Sequence, residues 1–184
     1  MAETTRPIRV ANCSGFFGDR PSAAREMVQG GPIDVLTGDW LAELTMLILA
    51  RTRGRRAGGG YAGSFVTQME EVMGTCLDRG IKVVSNAGGL DPAGCAEAVA
   101  QIAARLGLSP TIAYVTGDDL MDRLPELHAS GALQPFESDE PLGDPGGYLT
   151  ANAYLGCWGN AEALGAGADI VITGRVNDTA MTSG

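Results

Sequence analysis

The polar residues of this chain that could do chemistry stand directly after short apolar runs. Asn12, Ser14, Gly15, Asp19 and Arg20 follow Ile8–Ala11, and Asp39 follows Ile33–Leu36 through Thr37-Gly38. Asn86, Gly88 and Gly89 follow Ile81–Val84. Asp118 follows Ile112–Val115 through Thr116-Gly117, and Arg175, Asn177 and Asp178 follow Asp169–Ile172 through Thr173-Gly174. These types suit recognition of a small-molecule ligand with polar or anionic groups. Asn12 and Ser14 offer hydrogen bonds, and Arg20 can clamp an anion bidentately. A helix beginning after such a turn attracts anions. Adjacent glycines at 88 and 89 bring backbone amides close to whatever binds, as in an anion nest or oxyanion hole. Arg175, Asn177 and Asp178 add a cation, an amide and a carboxylate.

Each of these features has a purely structural alternative. Asp39 and Asp118 suit helix caps as well as a ligand or metal role, and Asp19 suits a cap for a helix opening at Pro21. Gly88-Gly89 fits a simple turn before Asp91. Arg175 and Asp178 can pair within their own loop. Other chemistries are poorly supplied. His128 is the only histidine, which excludes a His-based metal site within the chain, and no metal is expected. Cys13 is the one nucleophile candidate by position, because a helix N-terminus lowers a thiol pKa. No histidine lies near it in sequence. No C-x-x-C spacing occurs, and Cys76 and Cys95 read as small buried hydrophobes. The Gly15/Gly18 pair is not a dinucleotide fingerprint and no P-loop is present, so no nucleotide fingerprint exists. Arg51, Arg53, Arg55 and Arg56 suit a helix C-terminus, with a coenzyme A phosphate as the alternative partner. No catalytic residue is assigned.

The elements that must position these groups alternate. Apolar, β-branched runs are separated by helix-like stretches, which predicts an α/β fold: a three-layer sandwich on a mostly parallel, doubly wound, Rossmann-like sheet. In such a sheet ligands bind outside the carboxyl ends of the strands, so all five polar turns should share one edge. Asp91-Pro92 opens a helix that Gly107 closes. A stripe of Phe65, Met69, Val72, Met73 and Cys76 marks a helix near Tyr61–Asp78, ended by Gly80. The stretch from Trp40 to Arg51 is apolar almost all round, which predicts a central helix or a homo-oligomer interface. Ser130–Gly147 is long and irregular; a lid over the strand ends is the preferred reading, with a small hairpin or a variable insertion as alternatives.

Length fits one domain over residues 1–184, able to bury roughly 70% of its unfolded surface. The net charge of −9 argues against nucleic acid and against an anionic membrane surface. No apolar run approaches a spanning helix, and Met1–Arg9 lacks the apolar stretch of a signal peptide. A cytoplasmic protein is expected. Val176–Gly184 looks like the start of another element, so the chain is expected to be the N-terminal part of something longer.

The chain resembles the N-terminal part of the acyclic terpene utilisation (AtuA-like) family. The resemblance rests on Ser14-Gly15-Phe16-Phe17-Gly18-Asp19-Arg20, on the stretch from Gly31 to Asp39 with Leu41–Thr45, and on Lys82–Gly89. It continues through Ala151-Asn152-Ala153-Tyr154-Leu155-Gly156 and Gly167–Val176. Phe17 and Trp40 stand where the family pattern leads one to expect tyrosine. The resemblance implies a bacterial-type catabolic setting, the breakdown of acyclic terpenes such as citronellol and geraniol through coenzyme A thioesters. It implies action on a small carboxylate or acyl-coenzyme A intermediate. The alternative is a non-catalytic binding or assembly subunit of a catabolic complex.

Overall fold

A computed structural model describes residues 6–55, 58–138, 140 and 142–183; Arg56 lies outside them. The five apolar runs form five strands, β1 (Val10–Asn12), β2 (Val35–Gly38), β3 (Lys82–Ser85), β4 (Ile112–Val115) and β5 (Ile170–Thr173), in one sheet of order β1-β2-β3-β5-β4. Every pairing is parallel. Four strands run one or two residues further than the apolar runs themselves. Asn12 pairs with Thr37, Gly38 with Ser85 and Val115 with Thr173, because ladder bonds use backbone groups and accept a polar side chain at the strand end.

Seven helices lie among the described residues: α1 (Ala23–Gly30), α2 (Glu43–Thr52), α3 (Gly63–Arg79), α4 (Pro92–Leu106), α5 (Leu124–Ala129), α6 (Trp158–Gly165) and α7 (Ala180–Ser183). Asp91 accepts the Gly94 amide at 2.9 Å and Pro92 occupies the first turn, so α4 starts where the sequence places it. Gly80 and Gly107 close α3 and α4 in the left-handed conformation that glycine adopts without strain.

Strand side chains alternate between two cores. Val83, Ile170 and Ile172 pack with α1, α3 and α4 on one face. Val84 and Val171 pack with Ala180, Met181 and the inner side of α6 on the other. The helices after β1, β2 and β3 therefore cover one face, whereas α6 and α7, which follow β4 and β5, cover the opposite one. That reversal falls between the neighbouring strands β3 and β5, and the crevice at such a switch point is where open α/β sheets hold ligands.

The expectation of a helix buried all round over 41–50 is met only in part. Trp40 and Leu41 are buried ahead of the helix, and Thr45, Met46 and Leu49 form its inner face. Leu44 is 67% exposed, so α2 lies on the surface rather than at the centre of the chain. No described helix is long and apolar enough to cross a membrane.

At the amino edge of the sheet, Asp34 is gripped by Arg6 and Arg9, and Asp169 accepts from Lys82 at 2.8 Å and from the Thr111 amide. Both carboxyls are held below their usual range, chiefly by the guanidinium hydrogen bonds for Asp34 and by the Lys82 bond for Asp169. A carboxyl lowered in the fold contributes stability above its unfolded pKa, and that contribution is lost as pH falls through the folded value. Urea unfolding from pH 7 to pH 3 should therefore show stability falling below about pH 4. Asp169→Asn should flatten that limb by about 1 kcal/mol or less, since the pair is partly solvated. An unchanged acid limb in the variant would contradict this role.

Candidate functional site

Because all five strands are parallel, Asn12, Ser14, Asp39, Asn86, Asp118 and Arg175 all emerge at the carboxyl edge. They do not form one cluster. Beside β1, the turn satisfies itself. Asn12 donates to the Ser14 carbonyl and Ser14 to the Phe16 carbonyl. The Asp19 carboxylate accepts the Gly15 and Arg20 amides, which hold it below the ordinary range. Asp19 thus closes this loop rather than capping α1, whose N-cap is Ser22. Arg20 pairs with Glu26 on the surface.

At β2 and β3, Asn86 is fully buried and used at both ends. Its carbonyl oxygen accepts the Trp40 amide at 2.7 Å, and its amide donates to Asp39 at 2.7 Å. Asp39 also accepts from the Leu41 amide. This pair carries the chain from β2 into α2. Gly88 and Gly89 answer a packing demand: a Cβ at Gly88 would lie 2.5 Å from the Thr173 carbonyl oxygen, and one at Gly89 would lie 2.9 Å from that of Gly60. The Gly89 amide is already bonded to the Asn86 carbonyl.

The crevice side differs. Asp118, only 3% exposed, accepts the Arg175 amide at 2.8 Å and the Asn152 side-chain amide at 2.9 Å, both on Oδ2. It caps no helix. It ties the turns after β4 and β5 to a strap, residues 151–155, that crosses the edge. The strap is stitched on both sides: at the β4 turn the Leu120 amide donates to the Ala151 carbonyl and the Ala153 amide to the Asp118 carbonyl, while Leu155 bonds to Arg175 and Asn177 beside β5. Gly174 must be glycine, because a Cβ there would lie 2.5 Å from an Asp118 carboxylate oxygen.

Arg175 is the side chain that this frame positions. It is 6% exposed. Its guanidinium donates from Nη1 to the Leu41 carbonyl at 2.7 Å and stacks 4.1 Å over the Tyr154 ring. The nearest carboxylates, Asp178 at 3.7 Å and Glu43 at 4.0 Å, lie beyond hydrogen-bond reach. Among the described residues Nε and Nη2 have no hydrogen-bond acceptor. Arg175 lines a cavity of about 150 Å³ with Glu43, Met46, Thr150, Asn152 and Tyr154. Tyr154 donates to Glu43 at 2.7 Å, the main cause of a lowered Glu43 carboxyl. Asn177 accepts from the Thr179 hydroxyl, and Asp178 is largely solvated.

Glu43, Thr150, Asn152 and Tyr154 were not among the residues singled out from sequence. The Ala151–Gly156 stretch carried the resemblance, but its lack of periodicity gave no sign that it crosses the strand ends. Leu133, Gln134, Pro135 and Leu142 wall a second cavity beyond β4, and His128 bonds to the Leu142 carbonyl through Nε2. Arg53 pairs with Asp119 at 3.2 Å. No cluster of metal-binding side chains occurs among the described residues. Burial pushes the Cys13 thiol up to about 12, the reverse of an activated nucleophile.

A model of the family described as acyclic terpene utilisation family protein AtuA matches residues 8–184. No curated protein and no solved structure matches the chain.

Two outcomes follow from this geometry. Asp118→Ala should cost about 2–4 kcal/mol, because two amide donors lose a buried anionic acceptor. It should also open residues 148–156 to limited proteolysis; unchanged stability and an uncut strap would refute the tie. A thiol reagent at pH 8 should modify half-buried Cys157 first, with Cys13, Cys76 and Cys95 reacting only on unfolding. Rapid labelling of Cys13 in the native protein would reverse that conclusion.

Proposed function

The chain belongs to the acyclic terpene utilisation family, and from that membership we propose that it binds a small carboxylate formed in the breakdown of acyclic terpenes. The observation behind this reading is the state of Arg175. The guanidinium, 6% exposed, bonds one neutral oxygen and has Asp178 and Glu43 only at 3.7 and 4.0 Å, so its donors facing the cavity are open to a further anion. A carboxylate entering the cavity would meet Nε and Nη2 as a fork, the geometry that guanidinium favours. A thioester carbonyl is neutral and matches that cation less well, so the free acid is favoured over a coenzyme A thioester. The cavity holds a head group; a coenzyme moiety would lie outside it.

Binding without chemistry is the second reading, and the side chains favour it. The proton-exchanging groups at the cavity are Glu43 and Tyr154, already bonded to each other, and the Cys13 thiol is held protonated. On either reading the setting we propose is cytoplasmic catabolism. Exposed Leu44 on α2 supports contact with a second copy or with another subunit of a catabolic complex.

Calorimetric titration with citronellate, citronellol and citronellyl-coenzyme A tests this directly. Citronellate should bind most tightly. Arg175→Gln should weaken it by about tenfold or more, the loss expected for a charge-assisted pair, and Arg175→Lys should recover only part because it lacks the fork. A thermal melt separates this from loss of the Leu41 tie. Equal binding of acid and alcohol, or an Arg175→Gln protein that folds and binds citronellate normally, would overturn the proposal.

A further inference from the structure

The wall of the Arg175 cavity carries acceptors as well as a cation. Glu43 and Asn152 line it beside Arg175 and Tyr154. Of the Glu43 carboxylate, Oε1 takes the Tyr154 hydroxyl at 2.7 Å, and Oε2 bonds to no other residue among those described. Asn152 donates its side-chain amide to Asp118, which can only accept while ionised. That bond fixes the amide's orientation and leaves Oδ1 as a second acceptor with no bonded donor among the described residues.

Glu43 is placed by a bond and not by burial. Its side chain is 84% exposed, yet Tyr154 holds it, and the same Tyr154 ring lies 4.1 Å under the guanidinium. Arg175 and Glu43 are therefore set side by side, 4.0 Å from Nη2 to Oε1, too far apart to bond each other. Unspent donors and an unspent acceptor at that spacing are satisfied together by one molecule that brings an acceptor to the first and a donor to the second.

A plain carboxylate meets only half of that demand. It would bond the guanidinium but bring a third negative charge to a cation that already has Glu43 and Asp178 within 4.0 Å, and like charges set together are disfavoured. A hydroxyl or ammonium next to the carboxylate turns the Glu43 contact from repulsion into a charge-assisted hydrogen bond. The short gap between the two side chains calls for that donor on the carbon adjoining the carboxylate.

We propose that Glu43 is a specificity residue of this cavity, selecting acids that carry a hydrogen-bond donor beside their carboxylate over acids that do not. This rests on the carboxylate reading of Arg175. Arg175 selects for the anion, and Glu43 selects among anions.

Isothermal titration of a matched trio tests the division of labour. 3-Methylbutanoate, 2-hydroxy-3-methylbutanoate and valine share one carbon skeleton and differ in a hydrogen, a hydroxyl or an ammonium group. The wild-type chain should bind one of the two donor-bearing acids at least about fivefold more tightly than 3-methylbutanoate, and the two arms tell a hydroxyl from an ammonium. Glu43→Gln keeps a carbonyl oxygen for Tyr154 and puts a donor where the second carboxylate oxygen stands. It should weaken the preferred ligand about fivefold and tighten 3-methylbutanoate, a change of opposite sign that neither misfolding nor the loss of one surface charge produces. Equal wild-type affinities across the trio, or an unchanged order in Glu43→Gln, would refute the role of Glu43; if Arg175→Gln still weakens all three, the carboxylate reading stands without it. If citronellate binds but no member of the trio displaces it, the Glu43 inference alone is refuted. If citronellate does not bind either, both fall.

Discussion

The carboxyl edge of this sheet is organised by one buried anion. Asp118 reaches from the turn after β4 to the backbone of Arg175 after β5 and to the side chain of Asn152 in the strap. Hydrogen bonds to a charged acceptor out of water are the strong ones, and here two of them join three segments far apart in sequence. Gly174 is forced by the same contact, since the carboxylate occupies the space that a side chain would need. With Asp118 in place, the strap crosses the edge in one register, and the residues that line both cavities are set by that register.

Arg175 depends on the same frame at both of its ends. Its main chain is held by Asp118 and by the strap residue Leu155, and its side chain reaches the Leu41 carbonyl at the entrance to α2. A guanidinium kept this far from water needs compensation. The Tyr154 ring, the Leu41 carbonyl and two carboxylates beyond bonding distance provide part of it. The position is thus fixed more fully than the charge is neutralised. That imbalance is typical of a binding group, where folding sets the geometry and the ligand completes the electrostatics.

The sheet was legible because apolar runs and glycine-ended helices obey local rules: Ile112–Val115 and the Asp91-Pro92 helix start appear where their residues imply. The site was less legible because equal local sequences acquired unequal neighbours. Thr37-Gly38-Asp39 and Thr116-Gly117-Asp118 share one frame. Yet Asp39 meets Asn86 from the adjoining β3 turn, whereas Asp118 meets the β5 turn and the strap. Strand order decides this, and strand order arises from the backward step of β4 to β5, which no turn motif encodes. Tyr154 and Glu43 are 111 residues apart, so their hydrogen bond leaves no trace at the spacing of a helix or a strand. The Leu41–Ala50 stretch shows the converse limit. Its apolar composition suggested burial all round, but only the face of Thr45, Met46 and Leu49 finds the core.

A hydrogen-bond accounting then separates two halves of the edge. Buried polar groups in folded proteins are paired almost without exception, so a group whose partners are already in place has little left to offer a ligand. Asn12, Ser14, Asp19 and Asn86 spend their side-chain groups on the turns that contain or adjoin them. Gly89 spends its amide the same way. Arg175 spends only Nη1, on the Leu41 carbonyl, and it stands beside the β3–β5 crevice, where the covering helices change faces. Topology makes room at that point, Asp118 fixes the walls, and the arginine brings unspent donors. The β1 and β2 turns resemble the site in composition because tight strand-to-helix turns draw on the same Asn, Ser, Asp and Gly; what distinguishes the crevice side is a charged group with donors left over at a cavity.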